Sequence, residues 1–305
     1  MAIIVQEPMR ALFYAPFYAA TALGAWDQEE LEVNHVTAPR ASTAADSLFH
    51  GTVDVCWGGP MRVNHAYDQR AGCDLVCFGE AVTRDPFFLI GRTARPNFRL
   101  AVLTAMRLAT VGEVPTPWLC LQDDVRRIGL DPDNLVRVGD QTMIENIYAM
   151  RHLEVDVIQL SQPLAEQLIA SGDGHLWYAA ANRGRCSYTS FYARKAVIDD
   201  RREEMLKLVR GLYRAEKWLQ RRTPEGIADI MAPYFPQVPV GLLRAAIQRY
   251  RVLGIWSENP ILPRVGYDRL KAALISGGFA KGTPYEAAVD NSLAEQVVEE
   301  DPPSL

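Results

Sequence analysis

What most constrains this chain is a regular exchange of short apolar runs with helical segments between residues 2 and 180. Apolar runs of four to eight residues bounded by turn signals suit buried strands, and longer periodic stretches suit helices. Ala2–Val5, Leu31–Val36, Val53–Trp57 and Leu75–Phe78 read as strands. Between them, Phe17–Trp26, Ser42–His50 (with Ser42 or Thr43 as N-cap) and Met61–Arg70 read as helices. A second block repeats the pattern. Phe87–Ile90, Leu108–Val111, Leu135–Val138, Val155–Leu160 and Leu176–Ala180 are its strands, and Pro117–Ile128, Ile144–Arg151 and Leu164–Ala170 its helices. Such alternation predicts an α/β fold whose sheets are mostly parallel and flanked by helices.

The last third changes character. Arg201–Arg222 carries Met205, Leu208, Leu212, Ala215 and Leu219 at three- and four-residue spacing, the stripe of one long helix. Thr223-Pro224 starts another helix, and Pro239–Val252 and Val265–Ile275 read as helices too. The closing EEDPPSL is expected to fray.

A chain of 305 residues is long for one core and suits two lobes. Its net charge of −5, with Arg scattered among acids, leaves no basic footprint for nucleic acid. No apolar run reaches the roughly 18–20 residues of a membrane span, and MAIIVQEPMR has none of the parts of an export leader. Cys56, Cys73, Cys77, Cys120 and Cys186 form no zinc spacing and are expected to be buried free thiols, a mild lean towards a reducing compartment. Nothing calls for a metal or a cofactor.

In open α/β sheets, ligands gather beyond the carboxyl ends of strands and at helix N-termini. That rule selects Phe13, Tyr14 and Phe17 after the first strand, Arg40 and Ser42 after the second, and Trp57, Gly58, Gly59 and Pro60 after the third. Glu80 follows the fourth. In the second block, Pro115, Thr116, Ser161 and Gln162 occupy equivalent places, and Arg183 sits in a connecting segment. Aromatic walls, close-approach glycines and an Arg able to fork onto an anion are what a small-molecule pocket needs. Each has a plainer alternative: core packing for the aromatics, a turn for Gly-Gly-Pro, a solvated charge for Arg40 and Arg183, a cap or ion pair for Glu80. Their convergence on strand ends favours a pocket.

Four stretches are familiar together: FYAPFYAATALGAWDQEELEVNHV, SLFHGTVDVCWGGP, RRIGLDPDNLVRV and VGYDRLKAALISGGFAKGTPYEAAVDNSLAEQV. In this order the chain resembles the SsuA/THI5-like (NMT1) family, which includes substrate-binding components of ABC importers for sulfonates, nitrate and thiamin-pyrimidine precursors. The resemblance implies the type II periplasmic-binding-protein fold, with a ligand held between two lobes and closed in by hinge motion. Residues 1–84 and 188–305 would form the first lobe and 85–187 the second, with crossings near Thr83–Phe87 and Arg183–Tyr188. It implies a small-molecule ligand, an ABC permease as partner, a monomer, and a periplasmic location, with a cytoplasmic one as alternative. The run NFRLAVLTAMRLATV departs from the family's usual entry to lobe two.

The same family contains a pyrimidine synthase that uses a pyridoxal-bearing lysine, a histidine and a cysteine-rich motif. Here the WGGP segment has no lysine near it, and no cysteine-rich run exists. His35, His50, His65, His152 and His175 are dispersed, and there is no nucleophile elbow or P-loop. The sequence therefore reads as a binding protein, not an enzyme. The alternative is a cytoplasmic enzyme or metabolite sensor on the same scaffold.

Overall fold

The computed structural model describes residues 2–305. The first block folds as β1 (Ile3–Glu7), α1 (Ala15–Ala22), β2 (Val33–Thr37), α2 (Ala44–Phe49), β3 (Val55–Gly58), α3 (Met61–Gln69) and β4 (Leu75–Val82). The second follows as β5 (Phe87–Gly91), β6 (Arg107–Val111), α4 (Thr116–Arg127), β7 (Val136–Gln141), α5 (Met143–Arg151), β8 (Val157–Ser161), α6 (Leu164–Ala170) and β9 (His175–Ala179). The chain then makes β10 (Thr189–Arg194), α7 (Lys195–Asp200), α8 (Arg202–Arg221), α9 (Pro224–Met231), α10 (Val240–Val252), α11 (Arg264–Ser276), α12 (Tyr285–Ala288) and α13 (Ser292–Glu300).

These strands make two five-stranded sheets, ordered β2-β1-β3-β10-β4 and β7-β6-β8-β5-β9. In the first, β2, β1 and β3 run parallel, and β10 runs antiparallel between β3 and β4. In the second, β7, β6 and β8 are parallel, and β5 runs antiparallel between β8 and β9. The expected α/β class with mostly parallel sheets therefore holds, with one reversed strand inside each sheet. β10 had no counterpart in the sequence reading: YTSFYAR mixes hydroxyls with aromatics, and only its position between two buried strands makes all of Thr189–Ala193 buried.

The chain leaves the first sheet after Val82 and enters the second at Phe87; it leaves the second after Ala179 and re-enters the first at Thr189. The two crossings are stitched together, Cys186 N donating to Thr83 O at 2.9 Å and Tyr188 N to Val82 O at 2.8 Å. A third segment joins them, because Thr83 N donates to Ile255 O and Ser257 N to Ala81 O.

Helix α8 buries its predicted stripe, and Glu216 goes down with it, fully buried and without a hydrogen-bond partner. Helices α10 and α11 reach across to the second sheet's helices. Tyr250 Oη donates to Pro86 O and accepts from Gln162 N, both at 3.0 Å, while Arg126 of α4 donates to Ser276 Oγ at 3.0 Å. The C-terminal residues are held against α8, contrary to the expectation of fraying. Lys217 Nζ donates to Pro302 O at 2.6 Å and Arg214 Nε to Pro303 O at 3.1 Å, and Pro302 is buried. Two basic side chains of α8 thus donate to the carbonyls of Pro302 and Pro303.

Candidate functional site

Four strand-end segments from the two sheets converge. The loop after β1 supplies Met9, Phe13 and Tyr14. The turn after β3 supplies Gly59, Met61 and Arg62. The turn after β6 supplies Val114, Pro115 and Thr116, and Tyr188 comes from the returning crossing. Together they enclose a space of only about 20 Å³, so the two walls nearly touch. Gly59 allows this approach: a Cβ there would lie 3.2 Å from Tyr188 O and 3.2 Å from Met61 Cγ. The Tyr188 hydroxyl is buried with no hydrogen-bond partner among the described residues, and burial pushes its pKa well above the ordinary phenol value.

Beside this gap lies a larger cavity of about 290 Å³. It shares Met61, Arg62 and Pro115 with the gap, and adds Ser42, Phe49, His65 and Phe279 on one side and Glu113 on the other. The His65 ring stacks on Phe279 with centroids 4.9 Å apart. Two of the cavity's charges answer each other: Arg70 Nη2 lies 3.3 Å from Asp46 Oδ1, its guanidinium over the Phe49 ring. Arg62 is half-buried in the first turn of α3; its backbone N donates to Gly59 O at 3.0 Å, but its guanidinium makes no hydrogen bond or ion pair among the described residues. Its stem passes Gly58, where an added Cβ would sit 3.6 Å from both Cδ and Nε. A guanidinium held in a partly dry cavity and paired with no carboxylate is a ready donor site for a planar or tetrahedral anion.

Of the residues expected at the site, Phe13, Tyr14, Gly59, Pro115 and Thr116 line the narrow gap, and Ser42 lines the larger cavity. Phe17 and Trp57 lie one layer deeper. Their rings stack at 4.4 Å with planes 1° apart, and both are buried in the core. Gly58 packs against Tyr192, and Pro60 precedes α3 with its carbonyl accepting from Asn64. Arg40 is exposed and lines neither space. Glu80 is buried in β4, with Oε2 accepting from Ser257 Oγ at 3.2 Å; burial pushes its pKa up to about 7 against the pull of nearby hydroxyls. Ser161 Oγ meets Met143 Sδ at 3.5 Å, and Gln162 bonds Glu166 and Tyr250.

Arg183 occupies a different setting, between Asp85 and Asp124. Its Nε reaches Asp124 Oδ2 at 2.9 Å, its Nη1 bonds Asp85, and Arg269 adds a second guanidinium on Asp124 at 2.7 Å. The Arg183 side chain is only 2% exposed. Burial alone would lower its pKa, but Asp85, Cys120 and Asp124 hold it well above the ordinary value.

Sequence reasoning missed Arg62, Tyr188 and Met61. The signal for Arg62 was its place two residues after Gly-Gly-Pro, in the first turn of the helix behind β3. Tyr188 had no local signal, since its role depends on the returning crossing. Among the described residues, no cluster of three or more His, Cys, Asp or Glu could hold a metal ion, and no helix is long and apolar enough to cross a membrane.

Residues 94–232 match the NMT1-like family. The protein YtlA of Bacillus subtilis (strain 168) is 24% identical over 301 residues, covering 97% of this chain and 90% of its own. The alkanesulfonate-binding protein SsuA from Xanthomonas axonopodis pv. citri, solved bound to MOPS, superposes with a TM-score of 0.73 at 15% identity, over 95% of this chain and 98% of that one. The desulfurization enzyme DSZB superposes with a TM-score of 0.67 at 13% identity, over 99% and 100%. The chain thus resembles the SsuA/NMT1-like proteins in sequence over residues 94–232, and has the two-lobed periplasmic-binding-protein fold throughout.

Proposed function

We propose that this protein captures a small anionic organic solute between its two lobes, as the substrate-binding component of an ABC importer of the sulfonate, nitrate or thiamin-pyrimidine-precursor class. The observation that carries the reading is the unpartnered guanidinium of Arg62, which faces both the interlobe gap and the adjoining cavity. Its surroundings supply the rest of a binding site: aromatic area from Phe13 and Tyr14, a close backbone at Gly59, and the start of α4 at Thr116. The fold shared with SsuA, which was solved with a sulfonate bound, supports an anion as ligand. In this reading residues 1–84 with 188–305 form one lobe and 85–187 the other. The protein works as an extracytoplasmic monomer that hands its ligand to a permease.

A thermal-shift panel of sulfonates, nitrate, carboxylates and pyrimidines tests this. A ligand at about 100 times its Kd adds about 2.7 kcal/mol to stability. We expect at least one anion to raise the melting temperature, and Arg62→Gln to weaken its binding about a hundredfold or more. A panel without any shift, or an anion whose binding ignores Arg62→Gln, defeats the proposal.

A catalytic reading has one support, the fold shared with a desulfurization enzyme. The thiols argue against nucleophilic use. Cys56, Cys77, Cys120 and Cys186 are buried, and burial pushes the Cys56 thiol up to about 12, where it is protonated and inert.

A further inference from the structure

At the junction of the two sheets, one carboxyl sits among all the segments that are stitched together there. The outgoing crossing brings Thr83, the returning crossing Ser187, and the third segment Ser257, each buried. Backbone bonds tie the same segments: Cys186 N donates to Thr83 O, Thr83 N to Ile255 O and Ser257 N to Ala81 O. Glu80 of β4 is buried and joined to the third segment twice. Its N donates to Pro260 O at 2.7 Å, and its Oε2 accepts from Ser257 Oγ at 3.2 Å. The Thr83 and Ser187 hydroxyls lie close enough to pull on the same carboxyl. Yet those two hydroxyls, Glu80 Oε1 and both carboxyl oxygens of Glu216 have no hydrogen-bond partner among the described residues.

The groups around this carboxyl do not neutralise it. Helix α8 brings Glu216, a second acid, and α12 brings the Tyr285 phenol. The returning crossing brings Arg185, which is exposed and acts only from a distance, and β4 itself brings the Cys77 thiol. Opposite Glu80 on β10 stands Ser190. The buried residues of α3 and α13, which also pack on β4, carry no charge.

A carboxylate in a dry place with no cation beside it is costly. A neutral carboxyl can donate its proton to an unpartnered hydroxyl and still accept from Ser257. We propose that Glu80 is a pH-sensitive latch on the hinge: uncharged, it stays enclosed and holds the three connections together; ionised, it draws water in and lets them part. Burial pushes the enclosed group up to about 7, and local opening returns it to water, where it ionises near 4.5. Opening therefore releases a proton between those two values, and becomes easier as the pH rises through that window. Above about 7 the enclosed form is itself ionised and the gain stops. That a parting of the lobes frees a solute rests on the interlobe gap being the solute site; the latch itself does not.

The test is hydrogen exchange on the full chain without any solute, followed from pH 5 to 8 and corrected for the intrinsic pH dependence of amide exchange. We expect the opening constants of the Thr83, Cys186 and Ser257 amides to rise about tenfold or more between pH 5 and 7, and then to level off. These amides should also open more often than the interior amides of β1 and β8. Glu80→Gln keeps a group that donates and accepts but cannot ionise, and should make the hinge amides insensitive to pH. Glu216→Gln should leave their rise in place. Hinge amides that ignore pH in the parent protein overturn the proposal. So does a rise that persists in Glu80→Gln, or one that vanishes only in Glu216→Gln. Hinge and core amides that open together also overturn it, since the effect is then global unfolding. With no solute present, none of these outcomes depends on what the gap binds.

Discussion

Arg183 and Arg62 carry the same guanidinium close to the junction of the two lobes, and the protein treats them in opposite ways. Arg183 is enclosed and saturated, with Asp85 and Asp124 occupying its donors and Arg269 completing the cluster. Arg62 is half-buried and its guanidinium is answered by no side chain among the described residues. The difference separates structure from function. Ion pairs buried at the crossings fix how the chain passes between lobes. A charge left open in an adjacent cavity has a use only when something arrives to meet it.

The contrast can be broken most forcefully at Arg183. Arg183→Met should lower unfolding stability by about 3–5 kcal/mol, because it strands the Asp85 carboxylate in a dry place and leaves Asp124 with Arg269 as its remaining guanidinium. Urea unfolding reads this, and a loss below about 1 kcal/mol would mean the cluster is wetter than its burial implies. Removing Arg62, which breaks no internal pair, should alter ligand binding far more than stability. A reversal of these two rankings would collapse the distinction.

A milder test uses Glu80 and Glu216, buried acids that form no ion pair among the described residues; Arg185 pulls on Glu80 only from a distance. Burial raises Glu80 from 4.5 to about 7, and burial together with Glu80 raises Glu216 well above its ordinary value. The folded chain therefore keeps protons that the unfolded chain releases between those pH values. By linkage, this contribution to stability is present at pH 4.5 and is lost as the pH rises through about 7. Glu80→Gln should flatten the fall in urea midpoint between pH 5 and 8. A slope identical to the parent protein's would show that Glu80 is ionised throughout.

The smallest effect concerns the thiols. Cys73 is partly exposed, and the other four cysteines are buried. One thiol should react promptly with a disulfide reagent in the native protein and all five after unfolding. Prompt reaction of two or more would show that the core around β3, β4 and α4 opens readily.

Most element boundaries were legible because local patterns are strong there. Leu164–Ala170, Met61–Gln69 and the stripe of α8 each follow from local spacing and the prolines and glycines that bound it. The antiparallel strand β10 was not, since Thr189, Ser190 and Tyr192 become interior only through neighbours more than a hundred residues away. Of the residues the strand-end rule selected, Phe13, Tyr14, Gly59, Pro115 and Thr116 line the gap. It also swept in Phe17 and Trp57, whose rings turn inward to stack, and Arg183, whose partners lie 98 and 59 residues away. Side-chain direction and long-range pairing are invisible to a one-dimensional pattern.

By itself, the sequence determined the alternating α/β plan, its mostly parallel sheets and the segments that crowd their carboxyl ends, because hydrophobic period and turn chemistry act over a few residues. Only the tertiary structure decided which charges are spent and which are open. Whether Arg62, Arg183 or Glu113 finds a partner depends on chains brought together from both lobes, and that is settled by packing across the crossings, not by the neighbours each residue has in sequence.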